Sequence, residues 1–253
     1  MGTLQESELE WETDIDQIPP PEDIVARFRE IDVATHPFFV ALADGPGVDL
    51  EAVYLLVSNL LQGVSGFFVR WLAIAISRAN DRRVASLLAR QLNDQLGGGD
   101  FTQIHSVLLD RFVTALSPWC DRAGDHLLLS AGRRLSSEGA RPFVAGDAQE
   151  GLGALIVSEI FTEKMDTCLA SEMRRQMLVT GEAMRWLNVH QTLETDHAHD
   201  SHELAQLLPR EGPGLAAAWR GALDQWDALW QFLDDVHEMR TTLQPERRSA
   251  HFE

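Results

Sequence analysis

The chain has 253 residues, of which 45% are hydrophobic, a size and composition that suit one well-buried core. Its 21 Lys and Arg against 39 Asp and Glu give a formal net charge of −18, which repels phosphate backbones and anionic lipid surfaces and sets nucleic acid and membranes aside as partners. Cys120 and Cys168 are the only cysteines and form no CxxC pair, so neither a disulfide framework nor a thiolate metal site is indicated, and a reducing cytoplasm is the expected compartment.

The chain opens Met1-Gly2-Thr3 and turns acidic, with no basic stretch followed by an apolar one, so no secretory signal is expected. Gly2 begins a myristoylation-like pattern, but Glu6 stands where that pattern needs Ser or Thr. Residues 1–21 read as an acidic flexible tail ending in Pro19-Pro20-Pro21, where a proline can start a helix, and 22–253 as one helical-bundle domain.

A first helix is predicted over 22–31, and a short helical piece after His36-Pro37 ends at Gly45-Pro46-Gly47. Asp49 then caps a long helix to about residue 78. Its stretch 53–76 is apolar enough to raise a membrane span, yet Asn59, Gln62, Ser65 and Arg70 interrupt it and favour a buried core helix. Periodicity returns over 82–96 and breaks at three consecutive glycines, which no Lys-Ser or Lys-Thr follows, so they mark a helix break and not a phosphate loop.

Asp100 with Gln103 reads as a capping box for a helix to Leu116, ended by Pro118, while Pro142 falls in a loop. Asp147 with Glu150 caps a helix through Ser158 to about Cys168, a further helix spans 171–208, and 209–214 forms a turn. The last helix, 215–243, carries Trp219, Trp226, Trp230 and Phe232 near helical spacing, a stripe that suits a core. No stretch alternates as a strand does, so the fold class is all-α.

Chemistry concentrates in His190-Gln191-Thr192-Leu193-Glu194-Thr195-Asp196-His197, where helical spacing puts His190, Glu194 and His197 on one face, a nitrogen and oxygen set that iron, manganese and zinc accept. A solvated polar helix is the alternative, because Asp196, His199, Asp200, His202 and Glu203 surround the motif. Glu159 sits in an otherwise apolar run, with Glu163 and Asp166 following on the same face, and must find a ligand or an ion pair there with Arg174 or Arg175. His105 has apolar neighbours and reads alone as a core histidine.

Together these pieces resemble the haem-oxygenase-like metal-dependent (di-iron) oxidases, a helical-bundle superfamily that includes pyrroloquinoline-quinone synthase and thiaminase-like proteins. The resemblance runs over about residues 36–208. Family members end one helix in Asn-Leu-x-x-Glu-x-Gly, place a histidine about ten residues later and a mid-helix carboxylate beyond it, and close with His-x-x-x-Asp-x-x-His. Here the matching run is Leu92-Asn93-Asp94-Gln95-Leu96-Gly97, followed by His105, Glu159 and the set His190, Glu194 and His197, with Glu194 in place of aspartate.

The resemblance implies a haem-oxygenase-like bundle of about seven to eight helices and a non-haem iron-dependent oxidase or oxygenase, manganese being the other candidate metal. Dioxygen and a small molecule, such as an amino acid or biosynthetic intermediate, would be its substrates. It assigns His105, Glu159, His190, Glu194 and His197 as metal ligands and Gln95 as a weak or outer ligand. Arg70 would meet a substrate carboxylate or pair with Glu159.

Two departures argue for one metal over two: Gln95 replaces a glutamate, and no Asp or Glu occurs between Glu51 and Asp81, where the family has a further carboxylate. A metal-poor relative that binds a ligand without redox chemistry stays open. So do a metal-free enzyme of the quinone-cofactor synthase type, using the histidines from His190 to His202 as acids and bases, and a homodimer.

Overall fold

Short acidic side chains set where several of the helices start. The computed structural model describes residues 18–44, 49–120, 129–175 and 181–250, and all regular secondary structure in these segments is helical. Asp49 accepts a hydrogen bond from the Ala52 N–H at 3.0 Å and opens α3 (Leu50–Leu60). At the next such start the exchange is reciprocal. Asp147 accepts from the N–H groups of Gln149 and Glu150 at 2.7 and 3.0 Å, and the Glu150 carboxylate accepts from the Asp147 N–H at 2.9 Å. That box begins α9 (Ala148–Arg175).

The long apolar stretch is one run of three pieces: α3, a π-helical turn over Leu61–Ser65, and α4 (Gly66–Arg78). By length and composition it could cross a membrane, with a mean hydropathy of 1.6, but half of that window is buried inside the fold. With this run, α1 (Glu22–Glu30), α5 (Arg82–Gln95), α6 (His105–Leu116), α7 (Ser130–Glu138), α9, α10 (Arg185–Leu207) and α11 (Gly212–Ala250) make up the expected bundle, and α2 (Pro37–Ala43) and α8 (Arg141–Val144) are short additions.

Helix α9 is the central post: α11 and α10 lie along it, and α1 and α8 pack against it. The aromatic stripe of α11 builds the core, since the Trp226 ring meets Phe28 and Phe161 at 5.1 Å each and stacks on Trp230 at 6.0 Å. One cluster of buried apolar side chains runs from Ile24 on α1 to Val236 on α11.

Several boundaries differ from the sequence expectation, for local reasons. Asp100 caps a 3-10 turn, Phe101–Gln103, by accepting from the Thr102 N–H, so α6 begins later, at His105. Pro142 lies inside α8, in the first turn, where its missing N–H is not needed. Helix α7 was not anticipated. The expected helix over 171–208 is divided, because α9 continues to Arg175 and α10 starts only after Gly181, whose φ of 70° favours glycine. The expected turn at 209–214 is shorter, Pro213 being absorbed into the start of α11. Most of the acidic tail, residues 1–17, lies outside the described residues, and its end is tied down where Trp219 Nε1 donates to the Pro19 carbonyl at 2.9 Å.

Candidate metal and substrate cavity

Six segments converge on a partly open cavity of about 70 Å³. At roughly 10–15 Å³ for each water in this measure, it has room for several waters or a small organic molecule. Helix α5 contributes Gln95, α6 contributes His105 and Leu109, α9 contributes Glu159 and Met165 among others, α10 contributes Trp186, and α11 contributes Gln225 and Phe232. The run α3–α4 adds Leu60, Val64, Ser65, Phe68 and Trp71, so the π turn forms part of the wall.

At the π turn the chain approaches α7 closely. A Cβ on Gly63 would fall 2.2 Å from the Gly132 carbonyl oxygen, and one on Gly132 would fall 2.3 Å from that of Asn59, so only glycine fits either side of the crossing with α7. Asn59, wholly buried, accepts from the Gly132 N–H at 2.9 Å and donates to the Leu55 carbonyl at 2.8 Å. The turn that follows shifts the register, and Leu60, Val64 and Phe68 face the cavity at four-residue intervals. Asn59, the polar residue near the missing family carboxylate, is therefore a helix clasp.

Of the residues singled out in the sequence, Gln95, His105 and Glu159 share this cavity although they come from three helices. His105 is 4% exposed and Glu159 half-buried, so an imidazole and a carboxylate meet in a largely apolar space. The three acids of α9 singled out in the sequence separate: Glu163 pairs with Arg29 at 3.1 Å, Asp166 is wholly buried, and of the three only Glu159 lines the cavity. His190, Glu194 and His197 belong to α10, beginning one turn after Trp186, but their side chains lie outside the described residues. Trp186 stacks on Phe112 of α6 at 6.2 Å, which holds the start of α10 beside the helix that carries His105.

Two positions do not reach the cavity. Arg70 is exposed on α4, its guanidinium 5.7 Å from the Phe67 ring centre, and Gln62 is exposed on the π turn. Asp200 is buried and pairs with Arg90 of α5, so it ties α10 to α5 and is not part of a solvated face. Both cysteines are free, and burial pushes the Cys168 thiol up to about 11.

A family model described as iron-containing redox enzyme matches residues 62–230, which take in all the cavity-lining residues except Leu60 and Phe232. The chain belongs to this iron-containing redox enzyme family. Among solved structures that match, a domain of unknown function with a heme oxygenase-like fold from Shewanella denitrificans OS217 superposes with a TM-score of 0.65 over 88% of this chain and 93% of that one. At 16% identity this likeness shows the fold, which is haem-oxygenase-like. A search of curated proteins finds no match.

Among the described residues no three His, Cys, Asp or Glu side chains gather, so the family's metal chemistry has only the pair His105 and Glu159 there. The sequence reading missed Gln225, Ser158 and Ser65 on the cavity wall. Gln225 had a signal, a polar residue one position before Trp226 in an aromatic stripe, but such a residue is ordinarily solvated.

Proposed function

We propose that this chain is an iron-dependent oxidase or oxygenase that acts on a small, mostly apolar molecule held in the cavity. The observation that carries the reading is that His105 and Glu159 line one largely apolar cavity in a chain of an iron-containing redox family. An imidazole and a carboxylate are the donor chemistry that iron or manganese accepts, so the residues fit the metal. His105 and Glu159 would hold it with His190, Glu194 and His197 of α10, and Gln95 would be a neutral, weaker neighbour. Bound iron would supply the redox chemistry with dioxygen.

The protein's own contribution is placement and dryness. Phe68, Trp71, Leu109, Met165 and Phe232 exclude water, which strengthens the pull of Glu159 on a cation and leaves little room for a misplaced substrate. Gln95 also favours a second reading, a relative that uses the cavity to bind a ligand without redox chemistry, because a neutral amide stands where the family has an anion.

Anaerobic titration with ferrous iron separates the two. About one tightly bound equivalent per chain is expected, reduced at least tenfold in affinity by His105→Ala, Glu159→Ala, His190→Ala or His197→Ala with helicity retained. No tight binding, or two equal sites, overturns the first reading.

A further inference from the structure

Gln225 is 1% exposed on α11 and lines the cavity, and its carboxamide oxygen has no hydrogen-bond partner. Such a group is ordinarily satisfied, because leaving it unpaired forfeits the hydrogen bonds that water gave the unfolded chain. It lies beside Gly139 together with Trp71: Trp71 and the carboxamide nitrogen of Gln225 lie 3.3 and 3.4 Å from where a Cβ on Gly139 would stand. Helix α11 packs on α9, α7 and α3, whereas α6 packs on α3 and α10, and α5 on α4 and α10. Gln225 therefore enters the cavity from a different wall than His105 and Gln95.

We infer that Gln225 is a specificity-determining residue, the polar anchor for a small apolar molecule whose one neutral hydrogen-bonding group, an amide or an alcohol, pairs with its carboxamide. The assignment deepens the substrate reading above and rests on it only for the reaction, because binding of the neutral group needs no metal. Three features select the class. The cavity wall also carries Trp71, Leu229 and Phe232, which suits a hydrocarbon body. The carboxamide is uncharged, so a neutral partner satisfies it without bringing an unpaired charge into the core. Glu159 in the same cavity repels an anion in the iron-free protein.

The test uses the full iron-free chain and three four-carbon probes, butanamide, butanoate and butylammonium, titrated at neutral pH and followed by the fluorescence of the tryptophans and by nitrogen-labelled side-chain amide signals. Butanamide should bind at least about tenfold more tightly than butanoate, which Glu159 repels and which has no N–H to give the Gln225 oxygen. It should also shift the Gln225 side-chain signals, which are assigned by their loss in Gln225→Leu. Gln225→Leu should lower butanamide affinity about tenfold, and Gln225→Glu should turn the preference toward butylammonium. If Gln225→Leu does not fold, the wild-type preference and the Gln225→Glu reversal still decide. Equal binding of butanamide and butanoate to the wild type, or a butanamide affinity untouched in a folded Gln225→Leu, overturns the assignment. Failure of iron binding leaves these results as they stand, so the two readings fail separately.

Discussion

The carboxamide oxygen of Asn59 accepts a hydrogen bond from the backbone N–H of Gly132 at 2.9 Å, and so caps a helix from another part of the chain. Helix α7 needs this, because its own N-cap residue, Leu129, provides no side-chain acceptor. Asn59→Ala should cost about 1–3 kcal/mol by leaving that buried donor unpaired. Gly132→Ala should cost as much or more, since its Cβ would meet the Asn59 carbonyl at 2.3 Å and the two helices must part. Urea denaturation followed by circular dichroism measures both, and a loss below about 0.5 kcal/mol in each, the range of an ordinary surface change, would remove the clasp from the account.

The buried His36 makes stability depend on pH. Its Nδ1 accepts from the Phe38 N–H at 3.1 Å, so the proton sits on Nε2, which lies 3.2 Å from the Asp234 carboxylate. Burial pushes its pKa down from the ordinary 6.5 to about 4, with Asp234 opposing and His237 adding to the fall. The folded value is below the unfolded one, so the unfolded chain takes the proton first as pH falls. Stability should be greatest above pH 6.5, decline toward pH 4 and then level, the whole change being of order 3 kcal/mol at most. His36→Asn keeps an N-cap acceptor without the titration, and its stability should be flatter over this window by the same amount. Parallel pH profiles for the two proteins would contradict the assignment.

The helices were legible where local chemistry marks their ends. Asp49 and Asp147 cap the helices expected from them, Asp81 caps α5 where periodicity returns, and three positive φ angles at Gly97, Gly98 and Gly99 make the break after α5. Helix α7 was not legible because its signal is an acceptor on Asn59, far away in sequence. Gln95, His105 and Glu159 could be placed together only through family spacing, since periodicity gives a face but not the neighbour it meets. The π turn defeats periodicity outright: it rotates the residues after Asn59, leaving Gln62 and Arg70 outside and Ser65 inside.

Arg70 offers a direct check on that rotation. Its guanidinium lies over Phe67 at the surface, so Arg70→Ala should change ferrous iron and butanamide binding by no more than about twofold, the scale of a surface substitution. A tenfold loss of either ligand, with helicity intact, would mean that Arg70 turns inward when the cavity fills.

Gln95→Glu should raise the number of metal ions held per chain. Gln95 lines the same cavity as His105 and Glu159, and a second carboxylate there offsets part of the repulsion between two cations in a space of low dielectric. Without metal the same charge works the other way, since two carboxylates in one largely apolar cavity repel. The variant should therefore be less stable than the wild type when stripped of metal at neutral pH and gain more from added ferrous iron. The rise should be partial, because the run from α3 to α4 still lacks an acid. Gln62→Glu should not extend it, for Gln62 is exposed, whereas Ser65→Glu places the anion on a residue that lines the cavity. Metal counting on the wild type and the three variants, with thermal melts before and after loading, is the measurement. Unchanged stoichiometry in a folded double variant of Gln95→Glu and Ser65→Glu would show that the cavity accepts one cation at most, and an increase with Gln62→Glu alone would show that the π turn does not set the register of that wall.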